Sequence, residues 1–312
     1  MALFESGPIV GYLGGPTASG KSALAAHAAR RERWAVISAD SMQVYRGMPI
    51  GTAVIPEEQR HGVPHHLLEI ADPREEFHAA RFVREALKAA EHEWREHGRR
   101  SLVAGGTGMW IQALREGLFP GPGRDEALRA ELRARLDREG PEALHAELAT
   151  ADPVMAEQLS PRDTVRIVRA LEVYRLSGKP LSTWYEEDRQ RREALGPLPP
   201  LVVLRLPKDR LRERITRRVD AMLAAGWLEE ARRLKELGLP PHAPARKALG
   251  YPELFRVLDG ETTLERARGE IIRAIVQFSR RQMTWFRGQR GVVWLDEPDP
   301  ERLLTALRRE DR

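Results

Sequence analysis

Short runs of consecutive apolar residues alternate along the chain with longer stretches in which apolar positions recur every three or four residues. Ile9–Leu13, Trp34–Ser38 and Ser101–Ala104 are near-continuous apolar runs, the pattern of strands buried on both faces of a parallel sheet. Between them, Ala79–His97 places Phe82, Leu87, Ala90 and Trp94 at helical spacing, which predicts an amphipathic helix with those four on its inner face. Strand-like and helix-like segments in alternation predict an α/β core with right-handed crossovers. Turn formers interrupt the pattern at Gly117-Leu-Phe-Pro-Gly-Pro-Gly123. From Arg124 to about Glu193 each stretch reads as amphipathic helix, punctuated by Gly140-Pro141, Pro153, Pro161 and Gly178-Lys-Pro180. Gly196-Pro-Leu-Pro-Pro200 marks the exit, and Leu201–Leu206 and Gly291–Leu295 resume strand character. The expected architecture is a parallel sheet flanked by helices, formed by residues 1–117 and 199–312, with an all-helical insertion over 118–198. Internal repeats and low-complexity tracts are absent.

The first apolar run leads into Gly15-Pro-Thr-Ala-Ser-Gly-Lys-Ser22 and then an Ala-rich stretch, Ser22 to Arg30. This fits G-x-x-x-x-G-K-[ST] at every fixed position and in its strand–loop–helix context, which makes the core P-loop NTPase-like. Gly15, Pro16, Thr17, Ala18, Ser19 and Gly20 form the loop, whose backbone N–H groups converge on phosphate oxygens at a helix N-terminus. Lys21 reaches the distal phosphate, and the Ser22 hydroxyl is a ligand for Mg2+. Such a loop does not name a reaction, because kinases, ATPases and transferases with a diphosphate leaving group all use it.

Composition narrows the classes. The 312 residues are 42% hydrophobic, enough for one large domain or a core with an insert and against global disorder. No apolar stretch approaches the roughly 20 residues that span a bilayer, and Met1-Ala-Leu-Phe-Glu-Ser lacks the layout of a signal peptide. The expected location is the cytoplasm. Without cysteine there is no disulfide framework, thiolate nucleophile or Cys-ligated zinc. The net charge of +5 is uneven: residues 201–312 hold 24 basic and 17 acidic side chains, whereas the two earlier segments nearly balance. A localised basic surface suits a polyanion; solvated helix faces with Glu–Arg pairs are the plainer alternative.

Asp40 stands just past the carboxyl end of the second apolar run, where open α/β sheets place their ligand crevice. It suits a water-mediated metal ligand or a general base, with a turn cap as the structural alternative. Ser41, Gln43, Tyr45 and Arg46 add hydrogen-bonding groups beside it. Here the residues carry a resemblance. Ser38-Ala-Asp-Ser-Met-Gln-Val-Tyr-Arg-Gly-Met-Pro-Ile-Gly-Thr-Ala53 resembles the signature of tRNA dimethylallyltransferases, also called tRNA isopentenyltransferases. Val63-Pro-His-His-Leu-Leu-Glu69, Gly105-Gly-Thr-Gly108 and Arg280-Arg-Gln-Met-Thr-Trp-Phe-Arg287 agree with it in order, so the likeness runs from the phosphate loop to about Leu295. Val54, Trp110 and Pro252 depart from the usual family residues. The chain ends without the zinc-finger extension of some eukaryotic relatives, as expected of a bacterial-type enzyme.

The resemblance implies transfer of a dimethylallyl group from dimethylallyl diphosphate to the exocyclic amine of the adenosine beside a tRNA anticodon. It implies that the loop holds the diphosphate and not ATP, with Mg2+ on Ser22 and with Lys21, Arg214 and Arg218 around the leaving group. Asp40 would accept or orient the amine hydrogen, and Thr107 would help position it; a helix N-cap is the rival role for Thr107. The same likeness assigns tRNA contact to Asp40, Ser41, Met42, Gln43 and Thr107, to Arg129 and Val165, Arg166, Ile167, Val168 and Arg169, and to Lys247, Ala248, Leu249, Gly250, Tyr251 and Pro252. Arg162, Arg166 and Arg169 are spaced to share a helix face. Phe278–Arg287 mixes Arg with Trp285 and Phe286, suited to phosphate contact and stacking or to plain helix packing. His65 and His66 are expected in hydrogen-bonded structural roles, since no third ligand lies at metal spacing. A monomer acting on tRNA, with no membrane association, is the expected form. Two other readings stand beside it: a prenyltransferase for free adenine nucleotides, which needs neither insert nor basic excess, and a P-loop kinase or NTP-dependent RNA-binding module.

Overall fold

The computed structural model describes residues 7–241 and 243–308; the N-terminal run read above as no signal peptide lies outside them. Six parallel strands form one sheet in the order β3-β2-β4-β1-β5-β6. In chain order the first part is β1 (Ile9–Gly14), α1 (Lys21–Glu32), β2 (Ala35–Ser38), β3 (His65–His66), α2 (Ala79–His97), β4 (Ser101–Ala104) and α3 (Gly108–Glu116). Five helices follow: α4 (Glu126–Glu139), α5 (Pro141–Ala151), α6 (Pro153–Gln158), α7 (Thr164–Ser177) and α8 (Leu181–Glu193). The chain then returns through β5 (Leu201–Leu204), α9 (Lys208–Ala224), α10 (Trp227–Glu236), α11 (Tyr251–Leu258), α12 (Leu264–Arg287), β6 (Val292–Leu295) and α13 (Pro300–Leu307). Two compact units result: residues up to 117 with those from 197 onward, and residues 118–196.

Parallel strands bury both faces, so each face of the sheet carries its own apolar layer. Leu24, Ala25, Ala28 and Ala29 of α1 meet Leu303 and Leu304 of α13 over Val36, Leu102 and Val202. The small side chains of α1 let that helix lie close to the strands. The opposite layer contains Phe82, Ala86 and Ala90 of α2, Ile111 of α3 and Ile215 and Val219 of α9, over Ile37, Val103 and Val203. Trp110 stacks on Phe82 with ring centroids 4.6 Å apart, so the departure from the family residue at 110 falls on core packing. Leu132, Leu144, Leu148, Ile167 and Leu171 form a separate apolar core within the helical unit.

Two sequence expectations need correction here. The inner face of α2 is Phe82, Ala86, Ala90 and Glu93, while Leu87 and Trp94 are exposed. Steps of four, four and three hold one side of a 3.6-residue helix, and positions 87 and 94 sit one residue round from it. A carboxylate takes the place expected for the indole because Glu93 accepts from His66 Nε2 at 2.8 Å and from Arg99 Nε at 2.8 Å. The second correction is β3, whose two histidines form an edge strand beside β2. Its brevity hides it from any periodicity argument. His65 Nδ1 lies 2.9 Å from the Val63 carbonyl, so both histidines are tied into the structure.

Glu230 of α10 anchors the long segment after β2. Its buried carboxylate accepts from the N–H groups of Ile50 and Gly51 and from the Tyr251 hydroxyl, at 2.8, 2.8 and 2.6 Å. Burial and this carboxylate push the Tyr251 hydroxyl well above its ordinary pKa. Glu230→Ala orphans three buried donors and is expected to lower unfolding free energy by about 3 kcal/mol, with Glu230→Gln losing distinctly less. Denaturant midpoints at unchanged m-value check this; equal losses would show that the acceptor geometry does not matter.

Candidate active site

The loop 15–20 leaves β1 and turns into α1 through Gly20, which occupies the N-cap with no side-chain capping bond. The first N–H groups of α1 are therefore left to whatever lies in front of them, and no acidic residue stands in its first turn. Inside the loop, the Ser19 hydroxyl is buried without a hydrogen-bond partner. The Lys21 ammonium turns back onto the Pro16 carbonyl at 3.2 Å. Arg214 and Arg218 are one turn apart on α9 and face the same loop. Arg218 Nη1 donates to Thr17 Oγ1 at 3.5 Å, and a Cβ on Gly20 would lie 3.1 Å from Arg214 Nη2.

Positive charge is thus concentrated with little water to screen it. Burial pushes the Lys21 ammonium down to about 8; Asp40 opposes the shift and Arg218 adds to it. Burial likewise lowers Arg218, again opposed by Asp40 and reinforced by Arg214. Asp40 is the carboxylate that both cations sense, so it faces the loop from the end of β2, as the topology predicts. It is also a turn cap: Oδ1 accepts from the Met42 N–H at 2.9 Å. The structural and chemical roles coexist in one side chain.

Thr107 occupies the N-cap position of α3 without a side-chain capping bond. Its Oγ1 accepts from the Ser41 N–H at 2.9 Å and donates to Ser41 Oγ at 3.3 Å, so Thr107 is the N-cap by position and backbone while its hydroxyl turns to Ser41. Gly105 has no room for a side chain, since a Cβ would approach the Ala39 carbonyl oxygen to 2.1 Å. The turns 39–41 and 105–107 are consequently pressed together at the ends of β2 and β4. Gln43 accepts from the Ser38 hydroxyl at 2.9 Å and donates to the Thr52 and Ala53 carbonyls at 3.1 Å each. Its amide is engaged internally, where the sequence reading had it meeting RNA. Met42 packs part-buried against the core.

The remaining expected RNA contacts divide by burial. Ile167 and Val168 are 1% and 6% exposed and belong to the core of the helical unit. Arg129 and Arg169 both pair with the buried Glu172, whose carboxylate also accepts from the Asp125 N–H. Arg162 precedes α7, whose N-cap is Asp163, so the expected row of three guanidinium groups on one helix face does not form. Val165, at 80% exposed, and Arg166, paired with Asp163, reach solvent. In the other unit Ala248, Gly250 and Tyr251 are buried, Leu249 is half-buried, and Lys247 and Pro252 are exposed. These differences in placement share one cause. Motif matching cannot tell a side chain that meets a ligand from one that packs beneath it. Sequence reasoning also passed over Gln282, which is buried and bonded to both the phosphate loop and the turn before Thr107. A polar residue at an inward position of an otherwise amphipathic α12 was the available signal.

Ser22 is exposed at the start of α1. With Asp40 it offers hard oxygen donors of the kind Mg2+ takes, and Mg2+ completes its shell with water and substrate phosphates. No group of three or more His, Asp or Glu side chains able to hold a metal exists among the described residues, so a metal here would depend on such a shared shell. The residues fit that ion.

Fold and site together define a P-loop protein with a cation-lined loop opposite a carboxylate at the crevice of a parallel sheet. Comparison with known proteins gives the family. The IPP transferase profile matches residues 43–289 and that of isopentenyl transferase residues 9–64. A tRNA dimethylallyltransferase of Geobacter metallireducens is 44% identical, with 91% of each chain covered; one from Thermomicrobium roseum is 43% identical over 97% of this chain and 92% of its own. The solved tRNA isopentenylpyrophosphate transferase of Bacillus halodurans superposes with a TM-score of 0.66 at 36% identity, covering 95% of both chains. A eukaryotic dimethylallyltransferase solved acting on tRNA gives 0.76 at 27% identity, over 95% of this chain and 75% of that one. The chain belongs to the IPP transferase family.

A diphosphate held by Lys21 would require the ammonium, so donor affinity is expected to hold below about pH 8 and to weaken as pH rises through it. Above that point binding should take up a proton, readable by calorimetry of an unreactive donor analogue in buffers of different ionisation enthalpy. Lys21→Arg, permanently charged, is expected to abolish the uptake; persistence of the uptake would assign it to another group.

Proposed function

We propose that the chain acts as a tRNA dimethylallyltransferase whose donor diphosphate lies on the loop 15–22 and whose acceptor adenine lies at the turns carrying Asp40 and Thr107. The reaction joins the dimethylallyl group of dimethylallyl diphosphate to the exocyclic amine of the adenosine at tRNA position 37. The C1–oxygen bond of the donor breaks, the C1–N6 bond forms, diphosphate leaves and the amine gives up one proton.

The observation that carries this reading is the pairing of a desolvated cation cluster with a single facing carboxylate. Diphosphate departs with its negative charge increasing. The α1 N-terminus, Lys21, Arg214 and Arg218 are already arranged to receive that charge, without the reorganisation that water would require. Mg2+ on Ser22 would neutralise a further part of it. The partnerless Ser19 hydroxyl gains a partner from a phosphate oxygen. Adenine's amine is a weak nucleophile because its lone pair is delocalised into the ring, so alignment must supply much of the rate. Asp40 orients the N–H and takes the proton as the nitrogen becomes cationic. Thr107 fixes the Asp40–Ser41 backbone from the other side.

An anticodon-loop base must leave its stack to reach a half-buried carboxylate, which requires the RNA to be held by its backbone. In the helical unit, exposed Arg166 and Val165 at the start of α7 are the groups available for this; Lys247 and Pro252 are their counterparts in the sheet-containing unit. A tRNA acceptor fits a cytoplasmic location, and among the described residues no helix is long and apolar enough to cross a membrane.

Labelled dimethylallyl diphosphate offered with unmodified tRNA or with AMP tests the acceptor directly. Label is expected in tRNA alone; transfer to AMP would support the free-nucleotide reading, and ATP turnover without transfer the kinase reading. Asp40→Asn keeps the turn but loses the base, and kcat is expected to fall on the order of 10²–10⁴-fold with tRNA affinity nearly unchanged. For Arg166→Ala, the plot of log Kd for tRNA against log salt should flatten by roughly one unit. An unaltered slope would return Arg166 to a solvated surface role.

A further inference from the structure

We infer that Gln282 is a positioning residue that sets the donor-holding loop and the acceptor-holding turns at a fixed separation. The inference rests on the substrate placement proposed above and adds a residue to it. Gln282 lies on the inward side of α12 and is 6% exposed. Its Oε1 accepts from the Thr17 N–H at 2.9 Å, and its Nε2 donates to the Gly106 carbonyl at 2.9 Å. Those partners are 265 and 176 residues away in sequence. One belongs to the phosphate loop and the other to the peptide bond that leads into Thr107. The amide orientation is fixed, because only one end can accept and only the other can donate.

Pairing of β1 with β4 and the bond from the Gly105 N–H to the Leu13 carbonyl at 3.0 Å fix the two strand ends; Gln282 bonds beyond them, to the loop and to the turn. A Cβ on Gly106 would lie 2.2 Å from Gln282 Nε2 and 3.6 Å from the Gly15 carbonyl oxygen, so loop and turn approach each other around this amide. Thr17 N–H has no other bond among the described backbone pairs, and it points at Gln282. It is therefore absent from the set of N–H groups that meet phosphate, and it shapes the loop instead. From Gly106 the path continues through Thr107 Oγ1 to the Ser41 N–H, beside Asp40. A single neutral amide thus spans from the diphosphate cradle to the carboxylate side. Being uncharged, it adds no field that would compete with Lys21, Arg214 and Arg218. A hydrophobic side chain would leave the Thr17 N–H unpaired and the Gly106 carbonyl with the Gly108 N–H, at 3.1 Å, as its remaining donor, and Asn would be one methylene short.

The consequence is specific to the chemical step. Attack of N6 on C1 depends on the distance and angle between two substrates held by different loops, and a displacement of about 1 Å can cost about 100-fold in rate. Gln282→Met keeps length and volume while removing both bonds. At saturating donor and anticodon stem-loop RNA, its single-turnover rate is expected to fall about 10–100-fold, with both KM values within about threefold of the parent. Gln282→Glu supplies the readout that a purely structural role would not move. As a carboxylate it accepts from Thr17 but faces the Gly106 carbonyl with an oxygen; as a neutral acid it accepts and donates as Gln does. Its rate relative to the parent at equal pH should therefore climb as pH is lowered from about 7 toward about 5. A carboxylate at 282 favours the ammonium form of Lys21, so the ratio is compared below about pH 7, where Lys21 is protonated in both proteins.

Normal single-turnover rates in Gln282→Met overturn the inference. So does a rate loss in Gln282→Met combined with a flat pH ratio in Gln282→Glu, which would mark the amide as structural only. If Gln282→Met fails to fold, the Gln282→Glu ratio decides alone. Asp40→Asn separates this inference from the reading beneath it. Full activity there would remove the acceptor placement itself, whereas a normal Gln282→Met beside an impaired Asp40→Asn removes only the role of Gln282.

Discussion

Concentrating positive charge in a place that water barely reaches is unfavourable, and the sheet-containing unit is organised around making that tolerable. The N-terminus of α1, Lys21, Arg214 and Arg218 converge on one loop, with Asp40 as the facing carboxylate. Lys21 and Arg218 are held below their ordinary pKa by burial and relieved in part by that carboxylate. In the proposed reaction a diphosphate on the loop would supply the missing negative charge. The same charge distribution would then suit the departing diphosphate better than the intact donor, which is the condition for catalysis as distinct from binding.

Holding such a site requires rigid neighbours, and the structure provides them through buried polar groups each satisfied several times over. Glu230 receives three donors and pins the segment after β2. Gln43 is bonded at both ends of its amide. In the helical unit Glu172 gathers Arg129, Arg169 and a backbone N–H. These are arrangements whose removal leaves orphaned partners, so they specify geometry more than they add net stability. They also explain why several polar and basic residues within family motifs face inward: a motif records everything a site needs, its supports as well as its contacts.

Much of the architecture was legible in the chain because the signals were local. Ile9–Leu13, Trp34–Ser38, Ser101–Ala104, Leu201–Leu206 and Gly291–Leu295 were read as strands and lie in the sheet, within a residue or two at their ends. The helix Ala79–His97 has the expected bounds, though its buried face is turned by one position. The two-residue β3 was invisible, since an edge strand that short has no period to detect. At the site, the loop 15–22 and the place of Asp40 followed from spacing and from the rule that crevices form at strand ends. The internal bonds of Gln43 did not, because its partners lie in an irregular loop with no period to read, and neither did the bridge made by Gln282, whose partners come from distant segments.

By itself the sequence determined the chemistry on offer: a phosphate loop, a carboxylate one strand away, a helical insertion and an excess of arginine toward the end. These are properties of residue type and near-neighbour spacing, which the chain carries before it folds. Only the tertiary structure decided which of those groups reach solvent or the crevice and which are closed into internal bonds. Arg166 and Arg169 are three residues apart on one helix, yet the first reaches solvent and the second closes on a buried Glu172. That difference arises from desolvation, a property of where a side chain lies once distant segments have packed around it.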